Sequence, residues 1–146
     1  MIEIRKMTRN DIPKIKALPL SAHDDMKVHR NNIEKLDSNC VPEHACVAVE
    51  DGNVIGFAHG TKLGNIFSTS YLFVKPSNRK NGIGKELLKS LEKTSNCTDF
   101  IITHHESLHR YYSKLGYNYD NRLTAGWIGE DARRYAQMAS FLVDTF

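Results

Sequence analysis

Tyr71-Leu72-Phe73-Val74-Lys75-Pro76-Ser77-Asn78-Arg79-Lys80-Asn81-Gly82-Ile83-Gly84-Lys85-Glu86-Leu87-Leu88 is the stretch that decides the fold. It begins as a run of aromatic and branched residues, the composition of a buried strand. Pro76 ends that run, because proline has no N–H to give to a ladder. A polar loop follows, and then Gly82 and Gly84. Beyond them Ile83, Leu87, Leu88 and Leu91 recur at helical spacing. The order is therefore strand, loop, glycine turn, helix.

That order has a chemical consequence. The first turn of a helix carries N–H groups with no partner inside the helix, and the helix dipole adds partial positive charge there. Glycine has no Cβ, so a bulky anion can approach the main chain at Gly82 and Gly84. Arg79, Lys80 and Lys85 add positive charge around the same point. Together these features predict a site for a phosphate or pyrophosphate. Glycines before a helix also serve simply to shape a turn, with solvated basic residues beside them, and spacing alone leaves both readings open. The pattern is neither G-x-G-x-x-G nor G-x-x-x-x-G-K-[ST]. That argues against a Rossmann dinucleotide site and against a Walker P-loop.

The residues Val74-x-Pro76-x-x-Arg79-x-x-Gly82-x-Gly84, followed by Leu87-Leu88, resemble the acyl-CoA-binding motif of the GNAT superfamily of N-acetyltransferases. That motif has the form R/Q-x-x-G-x-G/A after a strand ending in V-x-P. A second stretch, Tyr111-Tyr112-Ser113-Lys114-Leu115-Gly116-Tyr117, is similar to the family's l-Y-e-k-l-G-F sequence on the helix after the fifth strand. Tyr112 falls where the family places its general-acid tyrosine. The chemistry fits, because an amine attacking a thioester expels a thiolate that a phenol can protonate. By spacing alone, Tyr111 and Tyr112 read as aromatic core of an amphipathic helix, and Tyr117 reads as packing.

The resemblance covers roughly residues 2–117 and implies an α/β (α+β) fold. The expected sheet is mixed and splayed at its middle, with about six or seven strands and about four helices, in one domain over 1–146. It implies acetyl-CoA as co-substrate and no metal. The pantetheine arm would pair with the backbone of Leu72, Phe73 and Val74. The pyrophosphate would rest on N–H groups from Arg79 through Lys80, Asn81, Gly82, Ile83 and Gly84 to Lys85. A main-chain N–H near Phe73 or Val74 would polarise the thioester carbonyl.

Two positions depart from the family. Asparagine often stands seven residues before the acid tyrosine and touches the pantetheine; here that residue is His105, and neutral histidine can also bond an amide. No Asp or Glu occurs between Thr61 and Glu86, so the glutamate base sometimes found on the fourth strand is missing. Deprotonation of the acceptor then falls to water or to His59, His104 or His105, since imidazole titrates near neutral pH.

The rest of the chain frames this stretch. Its 146 residues suit one domain with a real core. A net charge of +3 accommodates an anionic cofactor without requiring nucleic acid. Lys and Arg are scattered rather than striped with aromatics, so there is no clear nucleic-acid signal. No apolar run approaches the roughly 20 residues of a membrane span, and Met1-Ile2-Glu3-Ile4-Arg5 does not read as a secretory signal. Cys40, Cys46 and Cys97 are odd in number and widely spaced, so they read as free thiols of a cytoplasmic protein.

Residues 2–7 read as a first strand. Thr8, Asn10 and Asp11 offer caps for a helix through about Ala17, with Pro13 tolerated early and Pro19 closing it. Residues 22–36 read as a polar helix bearing His23 and His29, which lack companions for a metal set. Residues 45–50 and 54–62 are strands joined by Asp51-Gly52-Asn53, a strong hairpin signal. Gly56 and Gly60 inside the second strand mark bulges or close backbone approach. Residues 67–74 form the next strand, and the helix after the glycine turn runs to about Thr94. Residues 100–103 form a strand parallel to the one ending at Val74. A helix over 107–115 stops at Gly116, and 117–121 forms a closing strand.

For residues 133–142 the signals conflict. Ala132, Tyr135, Ala136, Ala139, Leu142 and Val143 make a helical stripe, whereas the resemblance implies a last strand, and strand is the expectation. Gly126-Trp127-Ile128-Gly129 is expected as a loop beside the acceptor site or as a homodimer contact. The resemblance implies a primary amine on a small molecule or a protein as acceptor, and no motif in the chain identifies it. The alternative function is a GNAT-like module that binds CoA, a protein or a nucleic acid without catalysis.

Overall fold

The computed structural model describes residues 1–18, 42–79, 81–103, 108–120 and 125–145. The expected helix over 22–36, with His23 and His29, lies outside them, as do Cys40, Lys80, His104 and His105. In chain order the elements are β1 (Ile2–Lys6), α1 (Ile12–Lys16), β2 (Ala45–Glu50), β3 (Asn53–Leu63), β4 (Ile66–Val74), α2 (Ile83–Ser95), β5 (Asp99–Thr103), α3 (His109–Lys114), β6 (Asn118–Tyr119), β7 (Ala125–Ile128) and α4 (Glu130–Thr145). The strands are hydrogen-bonded in the order β1-β2-β3-β4-β5-β7-β6, a seven-stranded mixed sheet. No helix among the described residues is long and apolar enough to cross a membrane.

The chain forms two compact units, Met1–Gly60 with Tyr71–Ser95, and Thr61–Ser70 with Asn96–Phe146. In the first unit, β2 and β3 are joined by the expected hairpin. Asp51 at φ 52° and Gly52 at φ 80° form its two-residue turn. Ala48 and Val49 carry a β-bulge in this pair. One face of the pair is built from small residues: Cys46 stands opposite Ala58, and Ala48 opposite Gly56. Helix α2 lies close here. The Cys46 thiol donates to the Leu87 carbonyl at 3.4 Å, and burial pushes that thiol up to about 12. A Cβ on Gly56 would stand 2.9 Å from Leu87 Cδ1 and 3.2 Å from the Phe73 carbonyl oxygen. The expectation of close approach at Gly56 is met.

The hydrophobic core of this unit gathers Met7, Ile12, Ile15 and Leu18 with Ala45, Val47, Val54, Phe57 and Phe73. A polar clamp fixes the entry of α1. Arg5 donates two hydrogen bonds of 2.8 Å to the Asp11 carboxylate, which also accepts from the Thr8 N–H at 2.8 Å. These bonds hold the Asp11 carboxyl down at about 2, the Arg5 guanidinium contributing most. The helix expected from Thr8 to Ala17 begins as a 3₁₀ turn at Arg9–Asp11, and its α-helical part is Ile12–Lys16.

In the second unit, β5 runs parallel to the first half of β4, pairing Phe67 with Phe100 and Thr69 with Ile102, as expected. Two expectations for the tail are corrected. Gly126-Trp127-Ile128 is not loop but strand β7, paired antiparallel to β5 with Trp127 opposite Ile101. Burying the Trp127 indole beside Ile101, Ile66, Ala132 and Ala136 outweighs the weak strand signal that Gly126 gives. Residues 133–142 are not a strand but lie within helix α4. Ala132 and Ala136, four apart, are the buried stripe. Glu130 in the first turn pairs with Arg133 and Arg134. The start of the helix is held by the buried Asp99, whose carboxylate accepts the Ala132 N–H at 3.0 Å. Local helix propensity therefore prevails over the strand that the resemblance implied.

Candidate active site

Strand β4 carries the expected pantetheine-binding residues Leu72, Phe73 and Val74 to its end. The Lys75 N–H donates to the Ile55 carbonyl at 2.8 Å, which extends the pairing one residue past Val74. A 3₁₀ turn then spans Pro76–Asn78. Pro76 opens it with its fixed φ, and the Asn78 N–H returns to the Lys75 carbonyl at 2.8 Å.

Arg79 has a role that charge counting missed. Its Nε–H donates to the Val74 carbonyl at 2.8 Å, and its guanidinium carbon lies 5.5 Å from the centre of the Phe73 ring. Arg79 thus ties the loop back onto the strand end. A fixed gap between arginine and the strand's final valine was the available signal, because one side chain spans that five-residue step.

Gly82 takes φ +77°, and nothing stands within 4 Å of where its Cβ would be. The glycine is needed for the backbone, not to relieve crowding. Its carbonyl accepts the Glu86 N–H at 3.1 Å, which closes the first turn of α2. Ile83, Leu87, Leu88 and Leu91 are buried, so the helix is anchored along one face. Asn81 and Gly82 lead directly into a well-anchored thirteen-residue helix, and Ile83, Gly84 and Lys85 are its first residues. Main-chain N–H groups at such a start have no partner inside the helix, a setting that favours an anion. The first unit thus brings together every described residue of the expected cofactor set. Lys80 and His105 lie outside the described residues.

Tyr112 belongs to the second unit. It is 6% exposed and sits on α3, with its ring edge-on to Tyr111 at 5.0 Å and to Tyr117 at 6.0 Å. The Tyr117 N–H donates to the Tyr112 carbonyl at 3.1 Å, and Gly116 at φ +97° makes the turn between them. Burial, and next the neighbouring Tyr111, push the Tyr112 phenol well above its ordinary value. The phenol is therefore held in its protonated form.

His59, one of the expected base candidates, is buried on β3. Its ring lies nearly parallel to Phe57 at 6.3 Å and to Tyr71 at 6.2 Å. Burial first, and His44 second, lower it to about 4, so it is neutral at physiological pH.

The sequence profile of the Acetyltransferase (GNAT) domain matches residues 42–119. That span holds β2 to β6, the glycine turn and Tyr112. The chain belongs to the GNAT acetyltransferase family. No curated protein matches this GNAT chain in sequence. Solved structures resemble it closely in fold. A GNAT family acetyltransferase from Brucella melitensis in complex with acetyl-CoA is 18% identical, with a TM-score of 0.69 and 88% of each chain covered. PaiA N-acetyltransferase from Thermoplasma acidophilum in complex with coenzyme A is 19% identical, with a TM-score of 0.62, covering 87% of this chain and 96% of the other. An aminoglycoside 6'-N-acetyltransferase complexed with coenzyme A is 18% identical, with a TM-score of 0.64, covering 86% and 94%. The GNAT chain is accordingly an acetyltransferase of mixed α/β fold.

Proposed function

We propose that this GNAT enzyme moves the acetyl group of acetyl-CoA onto a primary amine by direct attack in a ternary complex. The observation that carries the reading is the glycine turn at the start of α2, where Gly82 holds φ +77° behind a strand end pinned by Arg79. In this reading the diphosphate lies on the amides of residues 79–85, and the pantetheine arm pairs with Leu72, Phe73 and Val74. A main-chain N–H near Phe73 or Val74 stabilises the oxyanion. The amine nitrogen attacks the thioester carbon, the new C–N bond forms, and the C–S bond breaks with its electron pair on sulfur. Tyr112 donates its phenolic proton to that thiolate, and the proton lost by the amine returns to solvent. The resemblance supports Tyr112 in this role, and burial keeps its phenol protonated.

The test is thiol release from acetyl-CoA with a panel of amines, namely L-glutamate, an aminoglycoside and a peptide with a free N-terminus. Two of these follow solved GNAT neighbours, an N-acetylglutamate synthase and an aminoglycoside acetyltransferase. Turnover with any of them supports the proposal. Tight coenzyme binding with no turnover across a broad panel would favour a binding module instead.

A further inference from the structure

Arg79 leaves the Pro76–Asn78 turn with extended backbone, φ −72° and ψ 163°, yet its side chain folds back onto β4. The Nε–H meets the Val74 carbonyl at 2.8 Å, and the guanidinium carbon stands 5.5 Å from the centre of the Phe73 ring. Phe73 and Val74 are both buried. The edge of β4 on which Arg79 bonds follows from the ladder. The Lys75 N–H bonds the Ile55 carbonyl on β3, and the Phe73 carbonyl oxygen lies against Gly56 of the same strand. Main-chain groups alternate sides along an antiparallel strand. Val74 therefore turns its N–H and carbonyl away from β3, to the edge that the pantetheine arm would use. Arg79 takes the carbonyl on that edge. One side chain thus links the strand end to the loop that leads into Gly82.

We propose that Arg79 is a positioning residue for the coenzyme, acting through its Nε–H rather than through its charge. The bond to Val74 sets the spacing between the strand end and the amides of the glycine turn, so that one coenzyme meets both at once. Fixing that spacing before binding removes an ordering cost from the bound state. The inference rests on the coenzyme placement in the acetyl-transfer reading above. A guanidinium that served as a cation for the diphosphate would work by charge instead. Side-chain chemistry separates the two roles. Glutamine Nε2 stands at the same point along the side chain as arginine Nε, so Arg79→Gln keeps the donor and removes the charge. Arg79→Lys keeps the charge and places a methylene where the donor was.

The experiment measures the Kd for coenzyme A by calorimetry in wild type, Arg79→Gln, Arg79→Lys and Arg79→Ala, with urea unfolding of each in parallel. The buffer holds about 0.5 M salt, which screens long-range attraction between charges. The proposal expects Arg79→Gln to bind within about threefold of wild type. It expects Arg79→Lys and Arg79→Ala to bind tenfold or more weakly, an effect one hydrogen bond from a charged group can carry. Arg79→Lys binding as tightly as Arg79→Gln, or more tightly, would overturn the proposal. So would Arg79→Gln as impaired as Arg79→Ala, or all three variants within threefold of wild type. An Arg79→Lys variant whose only change is a lower urea midpoint would reduce the bond to a fold contact and overturn it too. A wild type that does not bind coenzyme A would overturn the coenzyme placement and this proposal with it. A wild type that binds coenzyme A, gives the expected order of variants and releases no thiol with any amine would support the role of Arg79 and overturn acetyl transfer alone.

Discussion

Replacing His59 should change how the protein responds to acid. In the folded chain the imidazole titrates at about 4 against an ordinary 6.5, chiefly because burial disfavours its charged form. Between those values the unfolded chain binds a proton that the folded chain refuses. Stability is therefore full above about 6.5 and falls as pH drops towards 4. Two and a half pH units at about 1.4 kcal/mol each give about 3.5 kcal/mol attributable to this side chain, of which about 3 kcal/mol is lost by pH 4, where the folded imidazole is half protonated. The charged or titratable groups bearing on it from packed elements are His44, which adds to the lowering, and Tyr71. Asp11 titrates near 2, so its clamp with Arg5 stays intact throughout the window. Urea unfolding of wild type and His59→Leu at several pH values from 7 to 4 isolates the term, because other carboxylates cancel in the difference. The wild type should lose about 3 kcal/mol more than the variant. At pH 7 the variant should be as stable as wild type or about 1 kcal/mol more stable, because two buried ring nitrogens with no hydrogen-bond partner among the described residues are removed. Equal pH dependence in the two proteins would refute the reasoning.

Three further changes test other joints of the account. Gly56→Ala should cost about 1 to 3 kcal/mol in urea unfolding, since its Cβ meets the fully buried Leu87 and the Phe73 carbonyl. Asp99→Ala should cost about 1 to 2 kcal/mol, because the Ala132 N–H loses its acceptor at the start of α4. Tyr112→Phe should cut turnover tenfold or more in the thiol-release assay and leave coenzyme affinity within about twofold; unchanged turnover would remove the acid assignment.

The sequence was most informative where backbone geometry admits few residue types. Asp51-Gly52 announced the β2–β3 hairpin, and both residues hold positive φ. Gly82 announced the turn into α2 for the same reason. The parallel pairing of β4 with β5 followed from the helix between them. In the tail, the last strand implied by the resemblance was preferred to a helical stripe that the sequence itself shows, and the contacts that fix the rest are distant in sequence. Asp99 caps a helix that begins thirty-one residues later, at Glu130, and Trp127 becomes strand by pairing with Ile101. In the site, the glycine turn was legible, while the tie from Arg79 to Val74 and the unmet nitrogens of His59 were not. Charge and composition describe a residue type, not which atoms are already committed.

The central claim is that main-chain amides from Arg79 to Lys85 grip the coenzyme's diphosphate. The most direct measurement is a ¹⁵N–¹H NMR titration with coenzyme A, run in parallel with pantetheine, which lacks the diphosphate. The account predicts large, saturable shifts of the Asn81, Gly82, Ile83, Gly84 and Lys85 amides with coenzyme A and little change in them with pantetheine. Saturating coenzyme A that leaves those amides unmoved would contradict it.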